Sequence, residues 1–303
     1  MNIRQATRSD ETALRALENR TPLNIGDQPL FVHHDDFFEM HDLQERTVVM
    51  LAEDGGQIAG VCAGALNSAP LAGQERLLLY MHHERIDPEH QRKGIGGALT
   101  SAISEYWKEN APGHIDSSYW YIGAGNMQSR SFAERGGNRP WSIPLSICPI
   151  ASSVDVVHGP LHPIGAGPTY DIVRLINRTH EGEYLFRPYE HVDFGRRLSL
   201  SPNYGWGDIY GHFEGGRLVA TAGVLKDWVG DYGYEAGAEK AMVALLARLA
   251  LVRRGLSILL DERSPLYSAM APAPAQRFPL LFYAPRIEEP PAPSLLYVDP
   301  VYF

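Results

Sequence analysis

Ile86-Asp87-Pro88-Glu89-His90-Gln91-Arg92-Lys93-Gly94-Ile95-Gly96-Gly97-Ala98 is the stretch that decides the fold. It follows Leu77 to Ile86, an apolar and aromatic run that reads as a β-strand. It opens a helix, because Ile95, Ala98, Leu99, Ala102, Ile103, Tyr106 and Trp107 recur with a period of about 3.6 residues. Asn110, Pro112 and Gly113 end that helix. Gly94 and Gly96 therefore stand at a helix N-terminus directly after a strand. Unpaired backbone N–H groups and the helix dipole favour an anion there. Missing Cβ atoms let a diphosphate approach the backbone. Physics alone gives a diphosphate-binding turn, with a ligand-free glycine turn as the plainer alternative.

Working outward, His114 to Ile122 is the next strand, and a short helix runs from Asn126 to Gly136-Gly137. Upstream, Glu53-Asp54-Gly55-Gly56 separates two strand-like runs, a hairpin signal because glycine supplies positive φ. The same signal returns as Phe213-Glu214-Gly215-Gly216, with Gly215 standing 160 positions after Gly55. Leu17-Glu18-Asn19-Arg20-Thr21 likewise matches Leu175-Ile176-Asn177-Arg178-Thr179, 158 positions on. Two matches at nearly one offset indicate a duplication. The division expected is a first domain over 1–150, a Pro/Gly/Ser/His-rich linker over 151–168 and a second domain over 169–303. Each half orders its elements as a mixed α/β domain. Ser294 to Phe303 reads as a final strand of the second half.

The phrase around Gln91-x-x-Gly94-x-Gly96 resembles motif A of the GNAT superfamily of acyltransferases, with Ile86, Pro88, Glu89, Gln91, Gly94 and Gly96 in register. Asn126, Ser129, Phe132 and Gly136-Gly137 resemble the motif that follows it in that family. The resemblance covers about residues 1–147 and implies two GNAT-like domains in tandem, each a mixed sheet flanked by helices. It also implies acetyl-CoA as acyl carrier. Backbone N–H groups from Arg92 through Lys93, Gly94, Ile95, Gly96 and Gly97 to Ala98 would hold the pyrophosphate. Strand backbone from His83 through Arg85 to Ile86 would pair with the pantetheine arm. Asn126 and Ser129 would lie near the thioester. The second half lacks this turn: Gly56 to Gly94 spans 38 positions, whereas Gly216 to Gly237 spans 21. That half is expected to be a degenerate, structural repeat with no room for both a full strand and a phosphate turn, and to wall the acceptor pocket.

Thioester aminolysis needs a neutral amine, a stabilised oxyanion and a proton for the thiolate. The family often places a tyrosine acid seven residues after the second motif's asparagine, and here that position is Ala133. Strict alternation puts Tyr80, His82 and Glu84 on one face of the strand and Met81, His83 and Arg85 on the other. The first face is expected to meet the acceptor, with His82 as base, Glu84 as second candidate and Tyr80 as acid or orienter. A hydrogen-bonded strand histidine is the alternative reading of His82.

Acidic and aromatic groups between Arg20 and Glu45 suit an ammonium: Asp27, Phe31, His33, Asp35 and Asp36, with Trp206 from the second half. No metal is expected, since adjacent ligand types such as His33-His34-Asp35-Asp36 rarely close a site. With 27 Lys and Arg against 36 Asp and Glu, the net charge of −9 argues against nucleic acid and suits a cationic acceptor. Cys62 and Cys148 form no disulfide framework. No signal peptide or membrane span is apparent, so a cytoplasmic monomer or homodimer is expected. The function that results is acetyl transfer from acetyl-CoA to a small-molecule amine. Transfer of a longer acyl chain, a hydroxyl acceptor, acyl-CoA binding without catalysis, or a peptide or protein acceptor are the alternatives.

Overall fold

The computed structural model describes residues 1–25, 28–30, 34, 36–42, 44, 46–71, 74–151, 161–164, 169–200, 203–253, 255–271, 277–292 and 294–298. Two compact units emerge. One comprises Met1–Ser142 with Leu280–Glu289, the other Ile143–Pro279 with the segment from Pro290 onward. The units are interleaved along the chain, a departure from the linear division at 150.

The first unit runs β1 (Asn2–Gln5), α1 (Glu11–Arg20), β2 (Leu23–Ile25), β3 (Gln28–Leu30), α2 (Glu39–Asp42), β4 (Thr47–Asp54), β5 (Gln57–Leu71), β6 (Gln74–Ile86), α3 (Ile95–Asn110), β7 (Ser117–Gly123) and α4 (Met127–Arg135). The Gly55-Gly56 turn joins β4 to β5 with φ of +57° and +81°, values that glycine adopts without steric cost. Alternation along β4 divides its core. Val48, Met50 and Ala52 pack with Leu99, Ile103 and Trp107 of α3. Val49 and Leu51 pack with Leu14 and Leu17 of α1 and with Phe37. Leu99 and Ile103 are fully buried, each stabilising the unit by about 1.5–3 kcal/mol. Trp107 Nε1 donates to the Gly64 carbonyl at 3.1 Å, and a Cβ at Gly64 would overlap Ile103. Glycine there lets α3 lie close against β5.

The second unit runs β8 (Leu145–Pro149), β9 (His162–Pro163), α5 (Thr169–Thr179), α6 (His191–Leu200), β10 (Ile209–Glu214), β11 (Arg217–Leu225), β12 (Trp228–Tyr234), α7 (Glu239–Arg253), β13 (Ser257–Asp261) and α8 (Pro265–Met270), before β14 (Phe278–Tyr283). Its strand order is β9-β10-β11-β12-β13-β8, matching the first unit's β1-β4-β5-β6-β7-β14 position by position. Each sheet is antiparallel except for one parallel contact, β6 with β7 and β12 with β13. The repeat read from the sequence is thus visible in the topology. Gly215-Gly216 makes the matching hairpin, with φ of +56° and +80°. Thr21 and Thr179 donate from their hydroxyls to the carbonyls of Leu17 and Leu175, four residues back in α1 and α5.

Three expectations change. The closing strand of the first unit is β14, pairing antiparallel with β7 from Trp120–Tyr283 to Gly123–Leu280, so it comes from the far end of the chain. Reciprocally, β8 closes the second sheet beside β13. The stretch 294–298 contains one bridge, Tyr184–Leu296, rather than a strand, and 299–303 lie outside the described residues. The region assigned to the linker contributes β9, which pairs with Tyr210 and Gly211; 152–160 and 165–168 lie outside the described residues. In keeping with the lack of room for both a full strand and a phosphate turn, the second half has the strand, β12, and only a short connection into α7. Both cysteines are buried and free. No helix among the described residues is long and apolar enough to cross a membrane.

Candidate active site

The turn between β6 and α3 is pinned at its start. Asp87 N–H donates to the Ala59 carbonyl at 2.9 Å, and the Asp87 carboxylate caps Glu89 N–H at 3.0 Å. Arg20 Nε donates to the same carboxylate at 2.6 Å. Burial would raise the Asp87 carboxyl, but Arg20 and the backbone donor hold it below the ordinary range. The chain then turns through left-handed Arg92 (φ +62°) and Gly94 (φ +81°). Gly94 caps α3 without a side-chain hydrogen bond, and no acid lies in the helix's first turn. By contrast α4 is capped, since Asn126 Oδ1 accepts from Ser129 N–H at 3.1 Å. Among the described residues no side chain accepts from the first N–H groups of α3, which suits a diphosphate.

Beside this turn the sheet opens. β6 and β7 pair only at Leu78–Ser117, Leu79–Ser118 and Tyr80–Tyr119. Beyond Tyr80, β7 pairs instead with β14, leaving the edge of β6 without a ladder partner on that side among the described residues. An extended amide arm fits such an edge.

Strict alternation fails along β6. Between the pairs Ala63–His82 and Val61–Arg85, β5 advances two residues and β6 three. His83 takes up the excess in a left-handed conformation, φ +56°. A bulge of this kind re-aims every side chain after it. Tyr80 and His82 stack on each other with ring centres 4.6 Å apart, and His82 lies 5.2 Å from His41 of α2. His83 turns to the same side, 4.7 Å from Phe37, and Arg85 Nη1 donates to the Thr21 carbonyl at 3.1 Å. Glu84 faces α3 instead, where a Cβ at Gly96 would overlap its carboxylate. The expected grouping of Tyr80, His82 and Glu84 on one face is therefore corrected: His83 and Arg85 join Tyr80 and His82, and Glu84 lies across the sheet, on the α3 side with Met81 and Ile86.

Burial pushes His82 down to about 3, with His83 adding to the effect, so its imidazole is neutral and weakly basic. Glu84 is exposed to solvent, yet surrounding protein thins its hydration and raises its carboxyl above the ordinary range. His83 Nε2 and His34 Nδ1 each donate at 2.8 Å to Glu18 Oε1. Burial would raise Glu18, but these two bonds outweigh it and hold it at about 2.

The remaining expected residues scatter. Gln91 reaches toward the Ile86 carbonyl and Gln128. Ile86 packs on the α3 core. Asp36 is ion-paired to Arg8 at 2.7 Å and caps Phe38 N–H, so it is already engaged. Asp27, Phe31, His33 and Asp35 lie outside the described residues. Trp206 belongs to the second unit, edge-on to Phe194. Tyr204 there is buried, its hydroxyl donating to Asp231 at 2.8 Å. Ala133 is buried against Ile122 and Tyr283. Sequence reasoning missed Glu18, His41 and Tyr283. Glu18 carried a signal: it interrupts the apolar stripe Leu14–Leu17 of α1, where the twin helix has buried Ile176.

Comparison with known proteins agrees with this geometry. The model of the Acetyltransferase (GNAT) family matches residues 12–137. No curated protein sequence matches the chain. Among solved structures, a GCN5-related N-acetyltransferase from Sphaerobacter thermophilus aligns with TM-score 0.60 and 17% identity, covering 95% of this chain and 96% of that one. A tandem GNAT protein from the clavulanic acid biosynthesis pathway aligns with TM-score 0.63 and 14% identity, covering 95% and 99%. The N-myristoyltransferase of Saccharomyces cerevisiae, with bound myristoyl-CoA, aligns with TM-score 0.63 and 10% identity, covering 96% and 80%. At such identities these structures speak for the fold, and the family match covers the half that carries the uncapped helix and the opened sheet. Residues 12–137, within the first unit, thus carry an Acetyltransferase (GNAT) family domain, and the chain shares its fold with GNAT acetyltransferases.

Proposed function

We propose that the protein transfers an acetyl group from acetyl-CoA to the amine of a small molecule, and that its first unit alone carries the coenzyme. The observation that carries this reading is the uncapped N-terminus of α3 beside the freed edge of β6. Coenzyme A, when bound, supplies an acyl group activated as a thioester. N–H groups from Arg92 to Gly97 bind the diphosphate; Gly94 leaves open space where a Cβ would stand, and Gly96 leaves room for Glu84. The backbone of β6 past Tyr80 aligns the pantetheine amides. In the second unit four residues, 235–238, join β12 to α7, too few for such a cradle.

Glu84 is the group proposed to take the proton from the attacking amine. It is ionisable, exposed and adjacent to the turn, whereas His82 is half-buried and pushed down to about 3. Position 133 supplies no hydroxyl. The net charge of −9 favours encounter with a cationic acceptor.

A panel of amines assayed with acetyl-CoA and longer acyl-CoA thioesters, with detection of the released thiol, tests this reading. Acetyl-CoA should turn over fastest, on at least one amine. Faster turnover of a long-chain thioester would replace the acetyl assignment, and thiol release on hydroxyl acceptors alone would replace the amine.

A further inference from the structure

We infer that Glu18, His34 and His83 form a binding site for a zinc-class divalent cation, apart from the glycine turn, with His83 on the β6 segment whose backbone is proposed above to meet the pantetheine arm. The three residues come from α1, the segment after β3 and the bulge of β6, far apart in sequence. Their ligand atoms all lie within 4.8 Å of one another. Glu18 Oε1 is 2.8 Å from both His34 Nδ1 and His83 Nε2. Carboxylate and imidazole are the donor types that zinc takes alongside thiolate.

The geometry near these atoms fits a tetrahedral ion. Two imidazoles on one zinc, at Zn–N of about 2.0–2.1 Å, have ring centres about 5.2 Å apart. The centres of His34 and His83 are 5.5 Å apart, and those of His41 and His83 are 5.2 Å apart. Entry of the ion asks the ligand atoms to separate from hydrogen-bond distance to about 3.3 Å. The site is dry: Glu18 is 2% exposed, His41 3% and His34 7%. Glu18 Oε2 and both ring nitrogens of His41 are buried with no hydrogen-bond partner among the described residues. Orphaned buried polar atoms are costly, and a ligand that engages them removes the cost. His41 offers the fourth nitrogen after a change of rotamer.

The fold itself does not require this carboxylate. At the matching position of α5 stands Ile176, 1% exposed in an apolar core. The acid in the first unit is therefore an addition to the repeat, placed opposite an imidazole that a strained bulge residue delivers. A bound cation would tie α1 to that bulge.

The test uses the full chain, purified without a metal-affinity tag, stripped by a chelator and dialysed against zinc or cobalt(II) with a chromophoric competitor present. A single tightly held zinc equivalent is expected, together with visible d–d bands of the cobalt form that zinc bleaches. Glu18→Gln and His34→Ala should each weaken zinc by more than the about 10–100-fold typical of losing an outer-shell partner. His114→Ala, at an exposed histidine, should change nothing. Absence of both the zinc equivalent and the cobalt bands overturns the site, as does zinc held equally by wild type, Glu18→Gln and His34→Ala. If either variant unfolds, the wild-type cobalt spectrum decides: nitrogen–oxygen bands at one equivalent support the site, and their absence overturns it.

Discussion

The carboxylate of Glu84 lies so close to Gly96 that a Cβ at position 96 would overlap it. This places a base candidate and the diphosphate turn side by side, and it separates two roles experimentally. Glu84→Gln should lower kcat by on the order of a hundredfold. It should not weaken acetyl-CoA, because the change removes an anion beside the phosphates. His82→Gln should leave kcat within about tenfold, far less than loss of a general base. Steady-state rates together with calorimetric affinities check the pair. Equal losses in kcat and affinity for Glu84→Gln would mark it as a binding residue instead.

Ala133 fills the position where the family often has tyrosine, and it packs against Ile122 and the fully buried Tyr283 of β14. Ala133 itself is only 3% exposed. Ala133→Tyr should therefore destabilise the fold by about 1–3 kcal/mol through overpacking and should not raise the rate. Denaturant unfolding alongside turnover measures both. A stable, faster variant would show that the family's acid can still be accommodated.

Acid stability offers a third check. Arg4 holds Asp10 with two bonds, at 2.9 and 2.7 Å, and Thr7 N–H adds a third at 2.8 Å. The Arg4 bond, opposed by desolvation and aided by Thr7, depresses the Asp10 carboxyl below its ordinary range. The folded state thus binds this proton less readily than the unfolded chain. The stabilisation is present above the ordinary carboxylate range near about pH 4 and is lost as pH falls below it. Arg4 is 36% exposed, so solvent limits the effect to roughly 1 kcal/mol or less. Asp10→Asn should lower stability at pH 7 and converge with wild type near pH 2. Parallel unfolding curves at both pH values would remove the pair from the acid response.

Much of this was legible locally. Gly55-Gly56 and Gly215-Gly216 need positive φ, and α3 announces itself through Ile95, Leu99, Ile103 and Trp107. The glycine turn that opens α3 is written in consecutive residues. What escaped the sequence depends on partners far along the chain. The bulge at His83 arises because β5 supplies one residue fewer than β6 between two ladder pairs, and it re-aims Glu84. The exchange of β8 and β14 between units needs two strands separated by more than a hundred residues. The meeting of Glu18, His34 and His83 joins three elements, and only the acid on an apolar stripe hinted at it.

The central claim is that one coenzyme A binds, at the uncapped start of α3. Titration calorimetry of acetyl-CoA into wild type, Gly94→Glu and Gly96→Glu tests it most directly. Gly94→Glu puts an anion into open space at the turn, though at a left-handed φ, and Gly96→Glu forces a second carboxylate against Glu84 at the same turn. The account predicts one acetyl-CoA per chain for wild type and at least about tenfold weaker binding in both folded variants. Two equal sites per chain, or unchanged affinity in both folded variants, would contradict it.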